Sequence, residues 1–243
     1  NNSEINESHI DCDRVQDSYS FRCAPQVHGP MIDVLREARR ILSIEINSAT
    51  DNPLVFSNNG NPEVISGGNF HGQILAIISD NMAICTHEIA SISERRINQV
   101  LDPQWSGQKA FLANDEGLES GLMIVQYVAA AVIAELSLLS NPVSTTNVPV
   151  SMGKEDHVSM GATGAYRTFK ASKLLSSVIS SELICSCQAL DNIPENASDS
   201  VRKIHNWLRG YVSKIEGDRS TTEDTEIIAE KILTSEFIDI FGE

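Results

Sequence analysis

Residues 71–101 read HGQILAIISDNMAICTHEIASISERRINQVL, with no proline and no glycine after Gly72. Ile74, Ile78, Met82, Cys85, Ile89 and Ile92 step by four or three along one stripe, the signature of a helix with a buried face. Two further stretches share this character. Leu118 to Ser140 is almost uniformly apolar and small, and it stops at Asn141-Pro142, where the proline removes a backbone donor and crowds the preceding turn. From about Asp156 to Leu190 the chain is built of Ala, Ser, Gly, Leu, Ile and Val. Helices that are apolar around most of their circumference must be covered on several sides by other helices, so the expected fold class is all-α, a bundle of long helices. Ala129, Ala130, Ala131, Ser176, Ser177, Ser180 and Ser181 are small enough to let helix axes approach closely. A chain of 243 residues has too few faces to cover them all, and neighbouring subunits are expected to cover the rest.

Around this centre the pattern changes. Ile32, Leu35, Ala38, Ile41 and Leu42 recur at helical spacing from Met31 to Asn47, and the run breaks at Asn52-Pro53. The following PLVFSNNGNPEVISGGNF has short β-branched and aromatic runs around Asn59-Gly60 and a Gly67-Gly68 pair, which predict an irregular excursion with a small hairpin. After Asn192-Ile193-Pro194 the composition becomes amphipathic and acidic. Val201, Ile204, Leu208 and Val212 share one helical stripe, and a second short helix is expected from Thr222 to about Phe237. The chain therefore divides into a central bundle, 1–191, and a C-terminal helical tail, 192–243. Its polar opening, NNSEINESHIDCDR, lacks an initiator methionine, and the chain is expected to be a piece of a longer protein.

A formal net charge of −15 disfavours electrostatic capture of nucleic acid or of an anionic membrane. The richest apolar run, Leu122 to Leu139, carries Gln126 and Glu135 and reads as a buried helix rather than a membrane span. Five cysteines, Cys12, Cys23, Cys85, Cys185 and Cys187, form no CxxC pair; they point to reduced thiols in a cytoplasmic protein.

Two polar clusters stand out from this background. The first is GKEDHVSMG at 153–161, which sets Glu155, Asp156 and His157 side by side. No metal site is expected: on a helix, residues two apart diverge by about 200°, and His87-Glu88 lacks the second histidine of a metalloprotease helix. Glu155 and Asp156 at a helix start would instead complement its dipole, worth about 0.3 to 1 kcal/mol. The second is QDSYSFRC at 16–23. Gln16, Tyr19 and Arg22 are spaced by three, so a single turn would bring an amide, a phenol and a guanidinium to one side, and arginine suits two-point capture of a carboxylate. A solvated loop with an incidental Tyr and Arg fits the same pattern.

The chain resembles the histidine ammonia-lyase family, within the aromatic amino acid lyases that carry a methylidene-imidazolone electrophile. QDSYSFRCAPQVHG at 16–29, SATDNPLVF at 48–56, SGGNFHG at 66–72, SERRI at 93–97 and KEDHVSMG at 154–161 carry the likeness, supported by Glu182 to Asp191 and by GDRSTTEDTEI in the tail. The resemblance implies a long antiparallel helix bundle of the lyase type, assembled as a homotetramer with sites lined by more than one subunit. It implies elimination of ammonia from L-histidine to give trans-urocanate. On that basis Arg22 would clamp the substrate carboxylate, Tyr19 would lie beside the reacting carbons, Gln16 would hydrogen-bond in the pocket, Phe70 would wall it, and Glu155 would face the ring. An acidic group suits imidazole better than benzene, so histidine is preferred over phenylalanine or tyrosine, the substrates of related lyases and aminomutases. Lys154 departs from the neutral residue usual in the family and could pair with Glu155. The electrophile forms from Ala-Ser-Gly, which these 243 residues do not contain. The prosthetic group is therefore expected from an upstream half, and this chain, as the C-terminal portion, is expected to be inactive alone. A helical assembly module without chemistry is the remaining alternative.

Overall fold

Four long helices carry the fold of this computed structural model, which describes residues 3–8, 10, 12–193, 195–234 and 236–240. In chain order the first elements are α1 (Glu4–Glu7), α2 (Tyr19–Arg22), α3 (Ala24–Glu45), β1 (Leu54–Asn58), β2 (Asn61–Ile65) and α4 (Gln73–Leu101). They are followed by α5 (Pro103–Ser106), α6 (Met123–Leu139), α7 (Gly161–Leu190), α8 (Asp199–Arg209), α9 (Thr222–Leu233) and α10 (Glu236–Asp239). The all-α expectation holds.

Successive long helices alternate in direction. The side chain of Gln126 donates to Asn98 near one end of α4, while the Asp80 carboxylate near the other end accepts from the backbone N–H groups of Val143 and Ser144, so α6 runs against α4. The next helix, α7, therefore runs parallel to α4. Its Gly161 lies against Gly72 and its Glu182 against Ser93 and Arg96. This α4–α7 seam is the most extensive in the molecule. Glycine lets the two helices approach closely there: a Cβ on Gly161 would lie 3.1 Å from the Gly72 carbonyl oxygen, and one on Gly164 would lie 3.0 Å from Ser79 Cβ, both tighter than usual contacts. Ile97, Leu136, Val178 and Ile184 fill the core of the bundle.

Four helix boundaries differ from the sequence expectation, one of them in the tail, where α9 ends at Leu233 rather than near Phe237 and the short α10 is a separate element. α3 begins seven residues before Met31, at Ala24, because Pro25 sits in its first turn, where no N–H bond is lost. Pro30 is carried inside the helix. α6 begins at Met123 rather than Leu118, since left-handed residues at Gly107, Phe111, Leu112, Gly117 and Gly121 keep 107–122 irregular. α7 begins at Gly161 rather than Asp156, for a reason that concerns the site. The excursion does contain a hairpin. β1 and β2 pair antiparallel in a register that sets Asn58 opposite Asn61. The two-residue turn between them, Asn59-Gly60, has φ of 51° and 84°, the left-handed pair that a tight hairpin turn demands.

The tail closes one end of the bundle. Leu208, Val212, Ile215 and Ile228 share the central core with α4, α6 and α7, although Val212 lies beyond α8 rather than on its stripe. The clasp is polar as well. Asp191, at the end of α7, accepts from His205 at 2.7 Å and from Arg209 Nε at 2.9 Å, and the Gln188 side chain exchanges two hydrogen bonds with the Ile215 backbone. The break expected at Asn192-Ile193-Pro194 falls partly on position 194, outside the described residues. Among the described residues no helix is long and apolar enough to cross a membrane.

Much apolar surface is left bare. Ile32, Leu35 and Leu42 on α3, Ile124 and Tyr127 on α6, and Tyr166 and Phe169 on α7 are all exposed.

Candidate active site

At one end of the bundle, α2 is a single turn held against the last third of α4. Its outer side presents Tyr19, 68% exposed, and Arg22, whose guanidinium carbon lies 4.3 Å from the centre of the Tyr19 ring. A cation at that distance from an aromatic face is held by the ring quadrupole. Among the described residues the Arg22 guanidinium has no hydrogen-bonding or ionic partner, so its fork of donors is open to an incoming anion. Gln16 stays on the irregular segment before α2 and lines a groove of about 390 Å³ with Arg14, Val15, Gln104 and Trp105. Tyr19 and Arg22 share one turn as the spacing predicts; Gln16 precedes it, ahead of the Ser18 N-cap.

At the opposite end, three segments meet around the start of α4. Asn52 accepts from the Ser66 hydroxyl and the Gly67 N–H, both at 3.0 Å, and Asn69 donates to the Ala49 carbonyl at 2.7 Å. These bonds tie the 49–52 turn to the Gly-Gly-Asn-Phe loop that carries Phe70. Phe70 lines a groove of about 250 Å³ with Leu42, Glu45, Ile46, Thr50, Gly72 and Leu75. His71 Nε2 lies 2.9 Å from the His157 carbonyl oxygen, with the two rings 5.6 Å apart, which joins this loop to the segment bearing Glu155.

Glu155 does not start a helix. Ser151, Met152 and Gly153 adopt φ of 54°, 57° and 80° and turn the chain back, so that Val150 and Glu155 pair through backbone bonds of 2.9 and 3.3 Å. No acidic residue lies in the first turn of α7, and the dipole-capping role is ruled out. The carboxylate is exposed, and no ion pair joins it to Lys154. Its placement comes from the backbone of a tight turn.

The two clusters lie far apart within one chain. α2 docks at Arg96 and Gln99 and the Phe70 loop at Gly72, so roughly 25 residues of helix, about 37 Å at 1.5 Å per residue, separate them. No small amino acid spans that distance. Arg22 and Glu155 can serve one ligand only if they come from different copies of the chain.

A family model described as aromatic amino acid lyase matches residues 1–210. The chain belongs to the aromatic amino acid lyase family. It is 41% identical over 237 residues to the histidine ammonia-lyase of Myxococcus xanthus, a match covering 97% of this chain and 46% of that protein. Among solved structures, histidine ammonia-lyase from Trypanosoma cruzi superposes with a TM-score of 0.88 at 38% identity, over 93% of this chain and 44% of that one. Tyrosine aminomutase from Streptomyces globisporus gives 0.87 at 33%, over 98% and 46%. The chain thus spans about half the length of the curated relatives it matches.

Within this chain the two cysteines buried on α7 are quiet. All five cysteines are free; burial pushes the Cys187 thiol up to about 11 and raises Cys185 further. Such thiols resist ionisation and are poor nucleophiles. Among the described residues no three His, Cys, Asp or Glu side chains cluster as a metal site requires. Sequence reasoning overlooked the polar residues behind α2, namely Ser93, Arg96 and Gln99. Their spacing of three was a usable signal for a shared helix face.

Proposed function

We propose that this chain is the C-terminal portion of a cytoplasmic ammonia-lyase that converts L-histidine to trans-urocanate and ammonium. The carrying observation is the pairing of an open guanidinium, stacked on an exposed tyrosine, with an exposed carboxylate and phenylalanine at the far end of the same bundle. In a homotetramer the bare faces of α3, α6 and α7 would pack between subunits, and the Tyr19–Arg22 end of one chain would meet the Phe70–Glu155 end of another. Arg22 would bind the amino-acid carboxylate through two parallel hydrogen bonds. Tyr19 would hold the reacting carbons beside it, Gln16 would hydrogen-bond along the approach, and Phe70 would exclude water. Glu155 would accept a hydrogen bond from the imidazole N–H, an interaction that phenylalanine cannot offer.

The family's methylidene-imidazolone supplies the electrophile that activates the substrate. Its parent tripeptide is absent from this sequence, so these residues cannot form the group, and this chain contributes binding and orientation only. Alone it is expected to be inactive.

The reading is tested by expressing the full reading frame to which this chain belongs and following urocanate formation from histidine. Glu155→Gln, which keeps an acceptor but removes the charge, is expected to lower kcat/KM for histidine by about tenfold, or about 1.4 kcal/mol, the difference between a charge-assisted and a neutral hydrogen bond. Unchanged histidine turnover in a folded Glu155→Gln protein removes Glu155 from ring recognition. The similarity to tyrosine aminomutase makes tyrosine and phenylalanine the competing substrates to assay. A non-catalytic helical module would self-associate yet show no heat of binding with urocanate.

A further inference from the structure

Behind the Tyr19–Arg22 turn stands a ladder of three polar residues on one face of α4, Ser93, Arg96 and Gln99. Residues three apart on a helix are neighbours, so the ladder is continuous. Its last member, Gln99, places its side-chain nitrogen 2.5 Å from Ser18 Oγ and 3.2 Å from Ser20 Oγ, and the two hydroxyl oxygens are 3.0 Å apart. Ser20 is buried, on the inner side of α2, opposite the exposed Tyr19. One turn earlier, Arg96 Nη1 reaches the Ser20 carbonyl at 3.4 Å, while its Nη2 donates to Glu182 of α7 at 3.0 Å. The Ser93 hydroxyl donates to the same carboxylate.

Two features show that this docking, and not the turn itself, decides where α2 lies. A helix of four residues cannot sustain itself in water, since nucleation costs more than one turn of bonds returns. Ser18, at its N-cap, makes no capping bond to the helix backbone. Its hydroxyl is diverted to Gln99 and Ser20. The geometry points to Gln99 as a positioning residue for Tyr19 and Arg22, backed by the Arg96–Glu182 ion pair. This rests on the reading of Tyr19 and Arg22 as substrate contacts.

The test uses protein expressed from the full reading frame. Gln99→Ala is expected to raise the KM for histidine and to lower kcat/KM by roughly 10- to 100-fold, the scale of a displacement of about 1 Å in a positioned group, with little change in thermal midpoint. Gln99→Glu, whose carboxylate can accept from both serine hydroxyls, should recover most of the loss. In an Arg22→Ala background, Gln99→Ala should cost clearly less than in the parent protein, because the part of its effect that runs through Arg22 is already lost and only the part through Tyr19 remains. Equal fold-losses in both backgrounds would reduce Gln99 to a structural residue and overturn the proposal.

Amide exchange gives a readout independent of turnover. The Arg22 and Cys23 N–H groups, bonded to the Ser18 and Tyr19 carbonyls, should exchange faster in Gln99→Ala while those of α4 stay protected. Unaltered protection at Arg22 and Cys23 also overturns it. If the parent protein forms no urocanate from histidine, the lyase reading fails, and the exchange result still decides whether Gln99 holds the turn.

Discussion

The two ends of the bundle present their chemistry by different physical means. At the Tyr19–Arg22 end, a turn too short to hold itself is fastened chiefly through its side chains, Gln99 to the Ser18 and Ser20 hydroxyls, with Arg96 adding one bond to the Ser20 carbonyl, and the anchor is an ion pair, Arg96 with Glu182, that is largely shielded from water. At the Phe70–Glu155 end, side chains fasten backbone: Asp80 holds Val143 and Ser144, Asn147 accepts from Val158, and Asn52 gathers Gly67. There the helices are brought together by missing side chains, at Gly161 and Gly164. One end is set by charge and the other by space, so they should fail under different substitutions.

Removing charge should do the most damage. Glu182→Ala leaves the Arg96 guanidinium, whose side chain is only 16% exposed, without its counter-ion and the Ser93 hydroxyl without its acceptor. Breaking a shielded pair from one side costs about 3–5 kcal/mol, and chemical denaturation should show a loss near the lower figure. Glu182→Gln, which keeps an acceptor, should lose less. A loss under about 1 kcal/mol would class the pair with surface ion pairs and erase the contrast between the ends.

Adding bulk should come next. Gly164→Val puts a branched side chain where even a Cβ would sit 3.0 Å from Ser79 Cβ. Overpacking of this kind costs about 1–3 kcal/mol. The α4–α7 seam should open at the Phe70–Glu155 end, with faster exchange in the first turns of both helices and unchanged protection around Arg96. Uniform loosening along α4 would show that the two ends are mechanically one.

The bundle was legible in sequence because its signal is redundant. The stripe from Ile74 to Ile92 repeats over many turns, and Asn59-Gly60 specifies its hairpin by two left-handed residues. Boundaries were less legible where proline and glycine act against their usual sense. Pro30 is tolerated inside α3, and Gly161 stands inside the start of α7 rather than in a loop before it, at a point where the Gly72 carbonyl leaves little room for a side chain. Glu155 was misplaced for a different reason: the left-handed turn at 151–153 opens with Ser and Met, side chains that seldom mark such a conformation. Of the candidate site, the Tyr19–Arg22 pair could be read from local spacing. The distance from Arg22 to Glu155 could not, because it depends on which end of α4 each loop reaches.

The smallest expected effect again separates the ends, this time through pH. His28, on α3, lies half-buried near Arg96 and Glu182; burial, with the nearby guanidinium adding to it, holds its pKa below the ordinary 6.5, against a smaller opposing pull from the Glu182 carboxylate. Between the folded and unfolded values the unfolded chain binds more protons, so stability falls as pH drops through 6.5 and levels off once the folded ring is protonated too. His28→Gln should flatten that part of the stability profile while leaving stability above pH 6.5 nearly unchanged. Amide exchange followed over the same range should show the loss first around α2 and the adjoining part of α4, because the charge on His28 faces Arg96. A profile equally steep in His28→Gln would assign the pH sensitivity elsewhere, and Glu182→Gln would then show whether the ion pair itself is its source.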